Sequence, residues 1–128
     1  MRCNHLLLLL ICIISTETFA QNDTTLLSPS KFEQAISAGK IQLIDVRTPE
    51  EFQKGRIANS MMIDWKNKKE FESKTKSLDP AKPVYLYCSA GVRSHAAAEY
   101  LREKGFKEIY ELNGGLNKWK EENKPVEK

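Results

Sequence analysis

Cys88 ends an apolar, aromatic run, Val84-Tyr85-Leu86-Tyr87, and opens the loop Ser89-Ala90-Gly91-Val92-Arg93-Ser94. A helical pattern follows at once. A strand that delivers a cysteine to a Gly-containing loop at a helix N-terminus is an anion-stabilising arrangement. Backbone N–H groups converge on one point, and the helix dipole adds positive potential there. A thiolate or a persulfide is favoured at that point, so Cys88 is the candidate catalytic nucleophile. Gly91 lets the backbone turn tightly without a Cβ clash. Ser89, Ala90 and Val92 are small or compact and set the shape of the mouth. Ser94 reads as the helix cap, its hydroxyl either also pointing at the sulfur or serving the cap alone. Arg93 either binds the anionic end of a donor or pairs with a carboxylate and braces the loop.

Other polar residues are weaker candidates. Asp45 and Arg47 end a neighbouring strand, where ligands of parallel sheets collect, and are supporting candidates. Arg47 with Glu51 reads more simply as a local structural pair. His95, one residue into the helix, reads as a solvated surface residue in preference to a general base. Trp65 and Trp119 read as packing residues. No set of residues has metal-ligand spacing, and no cofactor is called for.

The elements that must position Cys88 are legible as punctuated periodic stretches. Ser28-Pro29 is an N-cap and first helical residue for a helix running to about Ala38, stopped by Gly39. Ile41 to Val46 is a buried strand. Thr48-Pro49-Glu50-Glu51 is a capping box opening a short helix that stops at Gly55. Met61 to Ile63 reads as another strand, and Lys66 to Lys76 as a charged, weakly amphipathic helix. Val84 to Tyr87 suits a central strand of a parallel sheet. Ser94 to Lys104 is a helix with Gly105 as its C-cap, and Phe106 to Leu112 is a strand. Asn113-Gly114-Gly115 turns the chain into a last short helix with Leu116 and Trp119. This alternation predicts an α/β sandwich around a mainly parallel sheet.

The N-terminus reads as a signal peptide over residues 1–20, with Arg2 and His5 before the nine apolar residues Leu6 to Ile14 and a cleavage pattern ending at Ala20. A spanning helix needs about 20 apolar residues, so an uncleaved membrane anchor is the weaker reading, as is lipidation of Cys12. The expectation is an exported, periplasmic or secreted protein, with a flexible lead-in over 21–27 and one domain over 28–126. Cys3 and Cys12 leave with the signal peptide, so Cys88 is then the sole thiol. A lone exported thiol points to reactivity or intermolecular pairing. Net charge is +3, and the lysines are interleaved with Glu; nucleic acid is not an expected partner.

Three pieces in order resemble the rhodanese-like sulfurtransferase family. They are Leu43-Ile44-Asp45-Val46-Arg47 with Pro49-Glu50-Glu51-Phe52 and Gly55, then Cys88-x-x-Gly91-x-Arg93-Ser94, then Asn113-Gly114-Gly115 with Trp119. The resemblance covers nearly all of residues 26–126. It implies a three-layer α/β sandwich with a five-stranded parallel sheet, and a cysteine that carries sulfane sulfur as a persulfide. It further implies a small donor (thiosulfate, polysulfide or thiol persulfide), a thiol or cyanide acceptor or a protein acceptor, and a monomer. Two stretches depart from the family pattern: Arg56-Ile57-Ala58-Asn59-Ser60, with Met62-Ile63-Asp64, bears on partner docking. Ser89 stands where many members carry a second basic residue, which bears on thiosulfate binding.

Other readings compete. A non-catalytic sulfur-carrier or protein-binding module shares the fold. A cysteine phosphatase or arsenate reductase also closes a cysteine loop with arginine, but over five intervening residues; here there are four, Ser89 to Val92. A thiol oxidoreductase would carry a C-x-x-C pair, which this chain lacks.

Overall fold

A computed structural model describes residues 25–128. The signal-peptide segment 1–20, Cys3, Cys12 and the first part of the lead-in lie outside the described residues. Five strands form one all-parallel sheet: β1 (Leu26–Leu27), β2 (Gln42–Asp45), β3 (Met61–Met62), β4 (Val84–Tyr87) and β5 (Ile109–Leu112), in the order β1-β5-β4-β2-β3. The helices are α1 (Pro29–Ile36), α2 (Pro49–Lys54), α3 (Lys68–Thr75), α4 (Val92–Glu103) and α5 (Gly115–Glu121). The expected three-layer α/β sandwich is therefore present. The strand Leu26–Leu27 falls inside the expected lead-in. It pairs with β5 through Leu26↔Glu111 and Leu27↔Leu112, so that end of the lead-in belongs to the sheet.

Strand alternation sorts side chains onto two faces. Val84, Leu86 and Cys88 face one core with Ile44, Val46, Phe71, Ala97, Ala98 and Leu101. Tyr85 and Tyr87 face the other, with Phe32, Leu43, Leu116 and Trp119. Burial of these side chains, the large aliphatic and Phe ones each contributing about 1.5–3 kcal/mol relative to exposure, is what clamps helices onto both faces. The cysteine thus leaves the central strand β4 on the α4 face. Trp119 is buried and donates its indole N–H to the Pro125 carbonyl at 2.9 Å, and Trp65 packs edge-on against Phe71. Both are packing residues.

Local signals fix the helix starts. The Ser28 hydroxyl accepts from Lys31 N, with Pro29 behind it. Thr48 and Glu51 close the capping box. α4 begins earlier than its sequence suggests: Gly91, at φ +106°, occupies the N-cap and Val92 is the first helical residue. Left-handed backbone there needs glycine, and it turns the loop amides inward.

Candidate active site

The Cys88 sulfur sits inside the turn of its own loop. The Gly91 amide donates to Sγ at 3.1 Å and the Ser94 amide at 3.4 Å. The thiol lies 3.4 Å from the Ser94 hydroxyl, which donates to the Gly91 carbonyl at 3.1 Å. A deprotonated sulfur would accept from that same hydroxyl. Ser94 is thus the third helical residue and faces the sulfur; the cap position belongs to Gly91. Two amides, one hydroxyl and the start of a 12-residue helix converge on one atom. Cys88 is buried, while Ala90 and Val92 are exposed on the rim, Val92 by 80%.

Arg93 braces the loop from outside. Its guanidinium grips Glu51 with two hydrogen bonds, Nη1 to Oε1 at 2.7 Å and Nη2 to Oε2 at 3.0 Å. Nη2 also reaches the Ser89 hydroxyl, which itself donates to Glu51 Oε2 at 2.8 Å. One carboxylate therefore joins the first and fifth residues after the cysteine while capping α2. The Arg93 guanidinium holds the Glu51 carboxyl well below the usual carboxylate range, against the opposing effect of burial, with Ser89 and Thr48 adding hydrogen bonds. Of the two roles open to Arg93 in the sequence, the structure realises the brace.

The loop is also held from below by α5. Leu116 N donates to the Cys88 carbonyl at 2.8 Å and Asn117 N to the Ser89 carbonyl at 3.0 Å. These first-turn amides have no partner within their own helix, so the loop carbonyls satisfy them. Gly115 makes the approach possible: a Cβ there would stand 2.5 Å from the Ser89 oxygen and 2.6 Å from the Cys88 oxygen.

Asp45 and Arg47 lie behind the site, both buried. Arg47 Nη2 donates to Asp45 Oδ2 at 2.7 Å and to the Gly55 carbonyl at 2.6 Å, tying the end of β2 to the end of α2. The expected Arg47–Glu51 pair is corrected: residues two apart on an extended strand share a face, so Asp45 takes Arg47 and leaves Glu51 to Arg93. Burial opposes the Arg47 charge, but Asp45 more than offsets it and raises its pKa. Neither residue touches the sulfur. Tyr87, fully buried, adds a further tie: its hydroxyl accepts from Ile57 N and donates to Ser60 Oγ, each at 3.0 Å.

On its outer side the loop borders a depression of about 420 Å³, lined by Ala90, Gly91 and Val92 together with Leu26, His95 and Glu111. His95 is exposed as expected, yet it is not merely solvated: Nδ1 is 3.3 Å from the buried Glu111 and Nε2 is 3.2 Å from Glu99. Sequence reading missed three contributors. Glu51 carried a signal, since a capping-box glutamate is fixed in place. Gly115 carried another in the Gly-Gly pair. Glu111, a single charge in a strand pattern, carried none strong enough to single it out.

Comparison with known proteins agrees with this geometry. The model of the rhodanese-like domain family matches residues 28–122. Protein YqhL of Bacillus subtilis, itself uncharacterized, is 38% identical over 110 residues, covering 86% of this chain and 83% of that protein. A tRNA uridine(34) hydroxylase of Cytophaga hutchinsonii is 36% identical over 95 residues, 73% of this chain but only 30% of that protein. Among solved structures, a rhodanese-related protein of Thermoplasma volcanium matches with a TM-score of 0.69 at 35% identity, over 79% of this chain and 95% of that one.

Proposed function

Because the chain belongs to the rhodanese-like domain family, we propose that it is a sulfurtransferase working through a Cys88 persulfide. The observation that carries this reading is the pair of amides, Gly91 and Ser94, that donate to the Cys88 sulfur. In the first half-reaction the Cys88 thiolate attacks the sulfane sulfur of the donor. A new S–S bond forms to Cys88, the donor's S–S bond breaks, and its electron pair departs on the donor's other sulfur. In the second, an acceptor thiolate or cyanide attacks the outer sulfur of the persulfide. The Cys88 S–S bond then breaks and its electron pair returns to the Cys88 sulfur, regenerating the thiolate. The Gly91 and Ser94 amides favour the anionic sulfur at the start and end of this cycle.

The surroundings favour a thiol persulfide donor over thiosulfate. Arg93, the one cation in the Ser89–Ser94 loop, is engaged by Glu51, leaving the loop no unengaged cationic side chain to meet a dianion. The same engagement weakens the phosphatase and arsenate reductase readings, whose oxyanion would need that arginine. A carrier that passes sulfur only to a docked protein would use the same Cys88 intermediate. Hydroxylation of tRNA, named for the Cytophaga protein, belongs to a chain of which this one matches 30%, and the interleaved surface charge does not favour RNA.

Export completes the proposal. The apolar stretch Leu6 to Ile14 supports it, and N-terminal sequencing of secreted protein should begin at Gln21. Among the described residues no helix is long and apolar enough to cross a membrane. The decisive assay for sulfur transfer is intact-protein mass after treatment with polysulfide. Wild type should gain one sulfur atom and lose it to cyanide or excess thiol, and Cys88→Ser should gain none. An equal adduct on the variant, or none on wild type with any sulfane donor, would sink the reading.

A further inference from the structure

Glu111 presents an unexplained polar atom beside the reactive loop. It lies on β5 opposite Leu86, on the same sheet face as Cys88 and beneath α4. Its side chain is 2% exposed. Oε2 has His95 Nδ1 at 3.3 Å and Arg102 Nη2 at 4.0 Å, while Oε1 has no hydrogen-bond partner among the described residues. A buried carboxylate oxygen without a donor is costly, and natural structures seldom leave one without a use. Glu111 also lines the depression that runs along Ala90, Gly91 and Val92, with Leu26 and Leu112 as apolar walls.

We propose that this depression is the acceptor subsite and takes a thiol bearing a primary ammonium a few bonds from its sulfur. The proposal rests on the sulfurtransferase reading and names its acceptor class. The ammonium donates to Glu111 Oε1, the methylene stem lies against Leu26 and Val92, and the thiol is left beside the loop that carries the persulfide. His95 is the residue that yields. Its side chain is 58% exposed, and Nε2 already has Glu99 at 3.2 Å to turn toward as the ring swings aside to open the way to Oε1. The incoming thiolate then attacks the outer persulfide sulfur, and the electron pair of the broken S–S bond stays on Cys88 as before.

The test compares cysteamine with 2-mercaptoethanol, which differ by ammonium against hydroxyl, as acceptors from polysulfide-loaded protein. Loss of the sulfur adduct is followed by intact mass. Intrinsic thiol reactivity is common to all protein variants, so the ratio of the two rates reports contact with the ammonium. Glu111→Gln should lower the cysteamine preference by about tenfold, the scale of a charge-assisted hydrogen bond, a ratio in which any change in adduct formation cancels. An unchanged ratio overturns the proposal and means that the ammonium does not reach Oε1. Should Glu111→Gln fail to fold, Val92→Lys decides instead. Val92 is 80% exposed, and a cation there must lower the same ratio; if it does not, the proposal fails. If wild type takes no adduct, the sulfurtransferase reading falls, and ethylammonium binding still decides the subsite. A shift of the His95 ring NMR signals on adding ethylammonium, absent in Glu111→Gln, supports it; no shift overturns it.

Discussion

Glu51 and Arg93 stand 42 residues apart in the chain and meet through two parallel hydrogen bonds, 2.7 and 3.0 Å long, on the outer side of the cysteine loop. The consequence is mechanical. Glu51 is fixed in the first turn of α2 by its capping box, so the loop is referenced to a helix rooted on β2 and not only to its own backbone. Planar, forked pairing fixes direction as well as distance, which a point charge cannot do.

Arg93→Lys should therefore cost more than loss of a diffuse charge would. Lysine keeps the charge but cannot hold both oxygens of Glu51 and the Ser89 hydroxyl together. The pair is partly exposed, which moderates the loss; a three- to tenfold drop in kcat/KM for sulfur transfer is expected, roughly the effect of one charged hydrogen bond reduced by solvent screening. Turnover equal to wild type with every donor would show that the fork is dispensable.

The same pair sets an acid dependence whose sign follows from Glu51. Its folded pKa is depressed, chiefly by Arg93. The stability it supplies is full above the unfolded carboxyl value of about 4.3 and is lost as pH falls from there toward the folded value. The difference in unfolding free energy between wild type and Glu51→Gln should be constant from pH 7 to about pH 5 and shrink below that. Urea melts at stepped pH check this; a difference that grew on acidification would contradict the assignment.

How much of this was legible beforehand depends on the range of the interactions. The Ser28 and Thr48 caps, the strand Val84–Tyr87 and the cysteine loop are specified by neighbours in sequence, and the structure shows them where the residues point. β1 was not legible, because two residues of an edge strand carry no periodicity. The residues point to Ser94 as the start of α4 because Gly91 caps through backbone geometry alone, with no side-chain signature. Proximity in sequence pairs Glu51 with Arg47, and nothing local points to Arg93. That partner lies across a fold that must form before the two can meet, and the same holds for Gly115 under the Cys88 carbonyl.

Tyr87→Phe should destabilise without touching the chemistry. The substitution keeps the buried ring and removes the hydroxyl that accepts from Ile57 N and donates to Ser60 Oγ. Ile57 is buried, so its amide would be left without an acceptor; the expected loss is about 1–3 kcal/mol. Burial pushes the Tyr87 phenol upward, so the neutral form is the one the fold holds. Melting in denaturant should show the loss, while the persulfide adduct still forms below the midpoint. A variant as stable as wild type would mean that water replaces the hydroxyl.

Gly115→Ala should damage both stability and sulfur transfer, whereas Gly91→Ala should act through backbone strain alone. At Gly91, φ is +106° but a Cβ would meet nothing within 4 Å, so the cost is the strain of a left-handed residue, about 1–2 kcal/mol. At Gly115, φ is +60° and the Cβ would press on two backbone oxygens, those of Cys88 and Ser89, at 2.6 and 2.5 Å. Backbone cannot rotate aside as a flexible side chain does. Either α5 withdraws, and the bonds from Leu116 N and Asn117 N to those oxygens lengthen, or the loop shifts and carries the Cys88 sulfur off its amides. Gly115→Ala is thus expected to lose about 2–4 kcal/mol of stability, strain plus two weakened hydrogen bonds. It should also form its polysulfide adduct at least several-fold more slowly than Gly91→Ala at matched folded fraction. Stopped-time intact mass at a temperature where both variants are folded separates the two. If the two adduct rates matched, the contact between α5 and the loop would be structural only.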